Sequence, residues 1–319
     1  LQRRRMKKDK QWIKFFEDNV RYSDVINGLG CKGEQIVNPS DLMELDAKIN
    51  GKYRDTLRKV AFGVGFAIIG IENQETVDYS MPIRIMEYDT GCYRKQKAKI
   101  TRRNRRKFKR DKGILSDLEN GEFLYGFLKS DRVYPVVTFV LYAGKEKWVG
   151  PKCLHDIINF QGVPDKIIEL VENYCIHIVD IRRIEDTTVF KSDVKQVFDF
   201  LKCSEDKRTL LDLIQNDSYY KNMDVDAYEL VKSYTNISKS IRIEDYRVKG
   251  GIDVCKAIND LIIDSKKEGR EEGREEGVLE TQKNIISNML KQNVPTETIC
   301  LFTGCNVEFV NKVKSGVVA

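Results

Sequence analysis

The sequence predicts an α/β protein with a mixed sheet flanked by helices, followed by a mainly α-helical C-terminal region. Two runs rich in Val, Ile and Phe are joined by Gly63-Val64-Gly65, a pattern typical of a β-hairpin whose second strand covers about residues 66–73. Residues 134–142, YPVVTFVLY, form the clearest pattern of a buried strand. From Thr187 onward, amphipathic stretches at helical spacing follow one another between polar turns.

The elements around the hairpin are predicted from residue spacing and from helix-terminal residues. Apolar residues within 9–30 recur at mixed helical spacing and end at Gly28 and Gly30, which predicts one or two opening helices. Pro39 begins a short helical turn or loop that leads into the hairpin. Pro82 suits the first position of a helix, and we expect that helix to continue until its charge becomes continuous.

The rest of the chain is predicted to be mostly helical, with one further strand at residues 174–181. The last two short helices are joined at Thr303-Gly304, a pattern shared by a small helix-turn-helix and by an ordinary helical end cap. The expected helices are 122–129, 154–160, 194–203, 208–215 and 226–234, a long helix from near Ile252, and the two terminal helices within 295–314.

The long helix contains a four-residue repeat of Glu, Gly, Arg and Glu over residues 268–277. Gly at every fourth position lines one side of a helix, where a partner helix could approach closely. Each Gly also costs about 0.8 to 1 kcal/mol of helix stability relative to Ala. Two interpretations stay open: a contact surface that makes the chain a homo-oligomer, or a flexible charged linker.

The formal net charge of +6 is unevenly distributed along the chain. Residues 94–112 contain twelve Lys or Arg and one Asp, a local net charge of +11, so the other residues together carry −5. This segment is either a solvated loop or helix extension, or a surface that binds the phosphates of double-stranded DNA without reading bases. The candidate DNA-binding residues are Arg102, Arg103, Arg105, Arg106, Lys107, Lys109 and Arg110.

Several classes of site and protein are disfavoured by the residues present. Eight Cys occur without a C-x-x-C pair and His155 and His177 are the only His residues, which argues against a Cys/His zinc site and favours reduced thiols in a cytoplasmic protein. The basic start is followed by an amphipathic stretch, so we expect no signal peptide, and the apolar run at 60–71 is too short to span a bilayer. The sequence has no His-x-x-Arg and no G-x-x-x-x-G-K-[ST] loop, which disfavours a tyrosine recombinase or an ATPase.

An oxygen-rich group of side chains accompanies the hairpin. Glu72 and Gln74 lie two residues apart near the end of the second strand, so their side chains point to the same face, and Asp55 lies about one hairpin arm upstream. Carboxylates fixed on rigid strands can hold Mg²⁺, which activates water for phosphodiester hydrolysis. From these residues alone, a pair of surface carboxylates flanking a hairpin is the simpler interpretation.

The strings IGIENQ, DYSMPIRIMEYD and EFLYGFLKSDRVYPVVTFVLYAGKEKWVGPKCLHDII, with the Glu-Gly repeats ahead of a Thr-Gly helical pair, resemble one family. It is the Rpn, or YhgA-like, family of recombination-promoting nucleases and putative transposases, within the PD-(D/E)XK nuclease superfamily. The resemblance covers about residues 12–314 and is strongest over 52–93 and 122–160. It implies a restriction-endonuclease-like core and a DNA endonuclease, dependent on Mg²⁺ or Mn²⁺, that promotes recombination or transposition-like transfer.

By this resemblance, Asp55 and Glu72 take the places of the superfamily's two metal-binding acids, and Gln74 takes the place of its Lys. Gln74 leaves the site without the cation that would lower the pKa of the attacking water, although its amide can still orient that water. The superfamily's Pro is also replaced, by Arg54. The alternative is therefore a catalytically inactive DNA-binding or assembly protein of the same fold. The implied domains are a nuclease core at 10–185 with a basic insert at 94–112, a helical region at 186–265, and a terminal region at 266–319.

Overall fold

The computed structural model describes residues 2–45, 48–49, 52–53, 55–62, 65–111, 113, 118–234 and 243–316. Its α-helices are α1 (Gln2–Phe15), α2 (Asn19–Gly30), α3 (Met81–Arg110), α4 (Asn120–Tyr125), α5 (Asp165–Ile168), α6 (Val194–Cys203), α7 (Lys207–Asn216), α8 (Val225–Ser233), α9 (Val254–Lys291), α10 (Thr296–Thr303) and α11 (Val307–Lys314). Its strands are β1 (Leu42–Glu44), β2 (Lys48–Ile49), β3 (Lys52–Tyr53), β4 (Thr56–Phe62), β5 (Gly65–Gln74), β6 (Val136–Tyr142), β7 (His177–Asp180), β8 (Arg247–Val248) and β9 (Gly251–Ile252).

Within the described ranges, five strands form one mixed sheet in the order β1-β4-β5-β6-β7. The pairs β1–β4 and β4–β5 are antiparallel, whereas β5–β6 and β6–β7 are parallel. The predicted hairpin is β4–β5, in which Phe62 pairs with Gly65, although Gly63 and Val64 lie outside the described residues. The predicted mixed sheet with flanking helices is therefore confirmed, and β5 is its central strand.

Alternate residues of β4 show which helices cover each face of the sheet. Leu57 packs with Ile68 and with Cys92 of α3. Its neighbour Arg58 points the other way, where its guanidinium lies over the Tyr22 ring of α2. Helix α3 thus covers one face and the opening helices cover the other.

The first half of α3 forms the main apolar contact with the parallel strands. One core cluster joins Met81, Ile85 and Tyr88 of this helix to Val140 of β6 and to Trp148. Because β5 and β6 are parallel, the chain must cross the sheet between them, and α3 makes that crossing. The start of α3 is consequently fixed beside the end of β5.

The basic segment is helical, since α3 continues without a break to Arg110. We expected the helix to end where its charge becomes continuous, and this boundary is wrong. Asn104 is 1% exposed and Phe108 is 7% exposed, so two side chains within the charged stretch pack inside the protein. Asn104 Nδ2 donates to Asp131 Oδ2 at 2.6 Å and to Gly126 O at 3.1 Å, and Phe108 lies beside Phe123. These contacts hold the charged half of the helix, and the basic side chains lie around it.

The predicted helices after Thr187 are confirmed as α6, α7 and α8. Helices α6 and α8 pack against the opening helices through aromatic side chains. The ring centroids of Trp12 and Phe198 lie 6.3 Å apart, and Trp12 Nε1 donates to Tyr234 Oη, at the end of α8, at 2.8 Å. The predicted helix at 122–129 is shorter than expected, because Gly126 adopts a left-handed conformation with φ of 65° and ends α4.

The chain divides into two compact units, residues 1–254 and 255–319. The second unit contains most of α9, with α10 and α11 packed through Ile286, Ile299 and Val310. The Glu-Gly repeat lies within α9, so it is helical, and a Cβ added at Gly269, Gly273 or Gly277 would meet no atom within 4 Å.

One pair of thiols differs from the expectation of reduced cysteines. Cys153 and Cys175 form a disulfide across an isolated antiparallel bridge that places their Cα atoms 4.0 Å apart. This disulfide could not be predicted from the sequence, because the two cysteines are 22 residues apart and only the folded chain brings them together. None of the described helices combines the length and the apolar composition needed to cross a membrane.

Candidate active site

Glu72 and Gln74 lie near the end of the central strand β5 and are buried. Glu72 is 1% exposed and Gln74 is 3% exposed. The interpretation of Glu72 as a surface carboxylate flanking a hairpin is therefore wrong. A carboxylate buried in the middle of a sheet costs folding free energy unless it is paired or bound, so its position needs a specific partner.

Asp55 lies directly before β4 and reaches the same end of β5. Thr56 pairs with Ile71, so one step further along the ladder places Asp55 opposite Glu72. Asp55 Oδ2 accepts hydrogen bonds from Asn73 N at 2.7 Å and from Asn73 Nδ2 at 3.1 Å. The hairpin thus brings both predicted acids to one strand end, and Asn73 fixes the orientation of the first.

The electrostatic environment of Asp55 disfavours its ionised form. The pKa of Asp55 is raised from 3.8 to about 6, mainly because the carboxyl is buried and in smaller part because of the negative charge of Asp9. The hydrogen bonds from Asn73 and the charge of Arg84 act in the opposite direction but do not cancel this effect. A carboxylate in this state gains stabilisation from any cation that binds beside it.

Arg84 is the functional candidate that sequence reasoning missed. It lies in the first turn of α3, where its Nη2 donates to Glu72 Oε1 and its Nη1 donates to Asp78 Oδ2 at 3.4 Å. The expectation that this site lacks a cation is therefore wrong. A signal was present in the sequence, since the N-terminal end of a helix is a poor place for a positive charge unless a nearby acid compensates.

A second buried cation lies beyond Gln74. Lys8 of α1 is 7% exposed, its Nζ donates to Glu75 Oε1, and the same atom lies 4.2 Å from the centre of the Tyr234 ring. Asp9 follows it on α1 and acts electrostatically on Asp55. The sequence offers no way to separate Lys8 from the other basic residues of the N-terminal run.

Asp55 and Glu72 carry the donor chemistry that Mg²⁺ prefers. Among the residues described, no group of three or more His, Cys, Asp or Glu side chains is placed to hold a metal ion. Mg²⁺ is commonly held by one or two carboxylates, with waters and substrate phosphates completing its shell, so two acids are enough. Beside them, Asn73 Oδ1 is a buried oxygen for which the described residues offer no hydrogen-bond donor. The residues present therefore fit a two-carboxylate Mg²⁺ site.

The predicted DNA-binding residues fall on different sides of α3. Arg102, Arg105, Arg106 and Lys109 line a cavity of about 600 Å³ together with Arg94, Lys97 and Tyr125. Arg103 instead forms an ion pair with Asp131 at 2.8 Å. Lys107 and Arg110 do not line this cavity. The structure thus groups four of the seven candidates and leaves three elsewhere on the helix.

Neither histidine belongs to the strand end. His155 Nε2 lies 2.8 Å from Val171 O and its ring packs edge-on against Phe160, and the His177 ring lies 5.7 Å from the Phe139 ring. These contacts are consistent with the structural roles expected for both residues.

Comparison with known proteins identifies one family. Residues 121–226 match the family model described as "Putative transposase, YhgA-like". The match begins within α4, includes β6 and β7, and ends at the start of α8, so it lies downstream of Asp55, Glu72 and Gln74. No curated protein and no solved structure shows significant similarity to the chain.

Proposed function

We propose that this chain, whose residues 121–226 match the family of YhgA-like putative transposases, is a DNA endonuclease that uses Mg²⁺, or Mn²⁺, to hydrolyse phosphodiester bonds. The proposal includes a restriction-endonuclease-like core and a role in recombination or transposition-like transfer. The observation that carries it is the convergence of Asp55, Glu72 and Gln74 at the end of the central strand, with Arg84 beside them.

Each residue has a chemical role in this proposal. Asp55 and Glu72 would hold the metal ion, which when bound supplies an activated water and neutralises charge on the phosphoryl oxygens. The Gln74 amide orients the attacking water. Arg84 replaces the positive charge of the superfamily's Lys, and its planar guanidinium can donate two hydrogen bonds to one phosphate.

A nicking assay on supercoiled plasmid with Mg²⁺ or Mn²⁺ tests this function. We expect wild type to nick, and Asp55→Asn and Glu72→Gln to abolish nicking while DNA affinity in EDTA is retained. Asp165→Asn makes the same chemical change at an exposed residue of α5 and serves as the matched control. Cleavage by Asp55→Asn at the wild-type rate and metal dependence would show that the site is assigned wrongly.

A second function, DNA binding or assembly without catalysis, is favoured by one observation. Arg84 already pairs with the Glu72 carboxylate, so a metal ion must share or displace this contact. No nicking by wild type with either metal, alongside retained DNA binding, would support this alternative.

A further inference from the structure

The groove between α3 and α4 combines a cationic wall with an exposed aromatic ring. The cavity of about 600 Å³ is lined by basic side chains of α3 and has no acidic residue in its lining. Tyr125, the last residue of α4, also lines it and is 66% exposed. A positively charged track beside an accessible ring is the arrangement by which proteins bind unpaired nucleotides.

A second cavity, of about 830 Å³, is also lined by Tyr125. Arg94, Lys97 and Tyr125 line both cavities, so the two cavities adjoin one another at these side chains. The three acidic residues of the second cavity already have partners within the protein. Glu119 pairs with Lys129 and Asp131 with Arg103, and the Glu122 carboxylate accepts hydrogen bonds from the backbone N–H groups of residues 119 and 129. This cavity has a volume typical of small-ligand sites and is less cationic than the first, which suits a base better than a phosphate.

The position of Tyr125 is fixed by the contacts of the next residue. Gly126 ends α4 in a left-handed conformation, and a Cβ there would approach Thr101 Cγ2 of α3 to 3.0 Å. Gly126 N donates to Glu122 O at 2.8 Å, and Gly126 O accepts from the buried Asn104. The ring is thus carried on a short helix that is bound tightly to α3, so little ordering is needed when a ligand stacks on it.

We propose that this groove binds an unpaired stretch of DNA, with one base stacked on Tyr125 and the adjoining phosphates on Arg102, Arg105 and Arg106. In a duplex, bases are stacked on one another and present no free face to a protein ring, so duplex DNA uses the cationic wall alone. The inference deepens the proposed nuclease function by naming DNA with a single-stranded segment as its substrate. At 1.5 Å per residue, Arg102 lies about 27 Å along α3 from Arg84, roughly eight base-pair rises of 3.4 Å.

Binding is measured by fluorescence anisotropy in EDTA, so that cleavage plays no part. The probes are a labelled oligo-dT 20-mer, an abasic strand of the same length, and a blunt 20-base-pair duplex. We expect Tyr125→Ala to weaken binding of oligo-dT by about fivefold or more, because stacking on an aromatic ring contributes at least that factor. Binding of the abasic strand and the duplex should change less than twofold.

Two matched variants test whether the aromatic ring of Tyr125 itself causes the loss of binding. Tyr125→Phe keeps the aromatic face and should bind oligo-dT as wild type does. Leu124→Ala removes a neighbouring side chain that is 65% exposed and lines neither cavity, and it should have no effect. An equal loss for oligo-dT and the duplex in Tyr125→Ala, or no loss for either, would overturn the inference. Because the readout is binding without metal, that outcome would leave the nuclease proposal to be decided by the nicking assay.

Discussion

At the residue scale, acidic and basic side chains lie close together at the end of strand β5. Asp55 is a carboxyl whose pKa is raised by burial, Glu72 is a buried acid paired with Arg84, and Lys8 pairs with Glu75. Such groups lower stability relative to apolar residues of the same size. Their presence together at the end of one strand favours a functional site over a structural one.

Replacing Asp55 by Asn should stabilise the protein at neutral and alkaline pH. The pKa of Asp55 rises from 3.8 to about 6 on folding, so the free energy of unfolding decreases as pH rises through this interval. The Asn variant does not titrate and can still accept hydrogen bonds from Asn73. At 1.36 kcal/mol per pKa unit, it should exceed wild type by roughly 3 kcal/mol at pH 8 and match it below pH 4.

Urea unfolding between pH 3 and pH 8 measures this difference. Asp78→Asn serves as the control with the opposite sign: although burial raises the pKa of Asp78, hydrogen bonds from Ser80 and the charge of Arg84 lower it overall. Its contribution to stability is therefore present at neutral pH and is lost as the pH falls. Parallel pH profiles for wild type and Asp55→Asn would show that the pKa of Asp55 is not raised by folding.

Removing the Arg84 guanidinium should be costly because Glu72 is 1% exposed. Breaking a buried ion pair by removing one partner typically costs about 3 to 5 kcal/mol, and we expect Arg84→Leu to fall in this range at pH 7. Adding Glu72→Gln should recover part of the loss, since the buried negative charge is gone. Arg84→Lys keeps the charge and is the control. Strictly additive effects in this double-mutant cycle would show that the two side chains do not interact.

At the element scale, helix α3 carries two separate features on one rigid rod. Its first turn provides Arg84 to the strand end, and its charged half presents the cationic groove. Asn104 and Phe108 keep the charged half helical, which spaces its basic residues around the axis. In the proposed binding of DNA, the contribution of each basic residue would therefore depend on which face of the helix it occupies as well as on total charge.

The salt dependence of duplex binding should reveal that face. Each phosphate contact contributes about −0.9 to the slope of log K against log salt concentration. Replacing Arg102, Arg105 and Arg106 by Gln should therefore make this slope less negative by about 3. The matched control replaces Lys99, Lys107 and Arg110 by Gln, which removes the same charge from residues of α3 that do not line the groove. We expect the control variant to change the slope by less than about 0.9, the value of one phosphate contact. Equal changes in both variants would show that net charge alone matters.

The glycine stripe of α9 can be tested in the same way. A Cβ at Gly269, Gly273 and Gly277 meets no atom within 4 Å, so replacing all three by Ala should stabilise the helix by about 2 to 3 kcal/mol in total. Thermal melts of the full chain by circular dichroism measure this, and light scattering measures its mass. A lower mass in the Ala variant would show that the stripe is a contact between copies of the chain, the other interpretation of the repeat.

At the scale of the whole molecule, the proposed metal site would link folding to metal binding, because Asp55 and Glu72 come to one strand end only when the hairpin is formed. We expect Mg²⁺ to raise the midpoint of thermal unfolding at pH 8. A ligand at 100 times its Kd stabilises by about 2.7 kcal/mol. The shift should shrink below pH 6, where Asp55 holds its proton. Differential scanning fluorimetry with Mg²⁺, using Asp55→Asn as the control, checks both points. A shift of equal size in Asp55→Asn would place the ion elsewhere.

The sequence by itself determined the elements whose pattern is local. Alternation of apolar side chains predicted the hairpin and the strand β6, and helical spacing predicted the opening helices and α6 to α8, because both periods repeat within a few residues. The two-residue spacing of Glu72 and Gln74 likewise placed them on one face of a strand. The length of α3 could not be predicted in this way, since its charged half is held by Asp131 and Gly126, 22 to 27 residues from Asn104.

Only the tertiary structure decided how the site residues are paired. The contact of Arg84 with Glu72 and that of Asn73 with Asp55 join residues 12 and 18 positions apart. The division of the basic segment into groove residues and others depends on where α4 packs against α3. These contacts arise from packing between elements, which no local period encodes. They decide which charges are buried, and burial is what turns an ordinary carboxylate such as Asp55 into one that favours a bound cation.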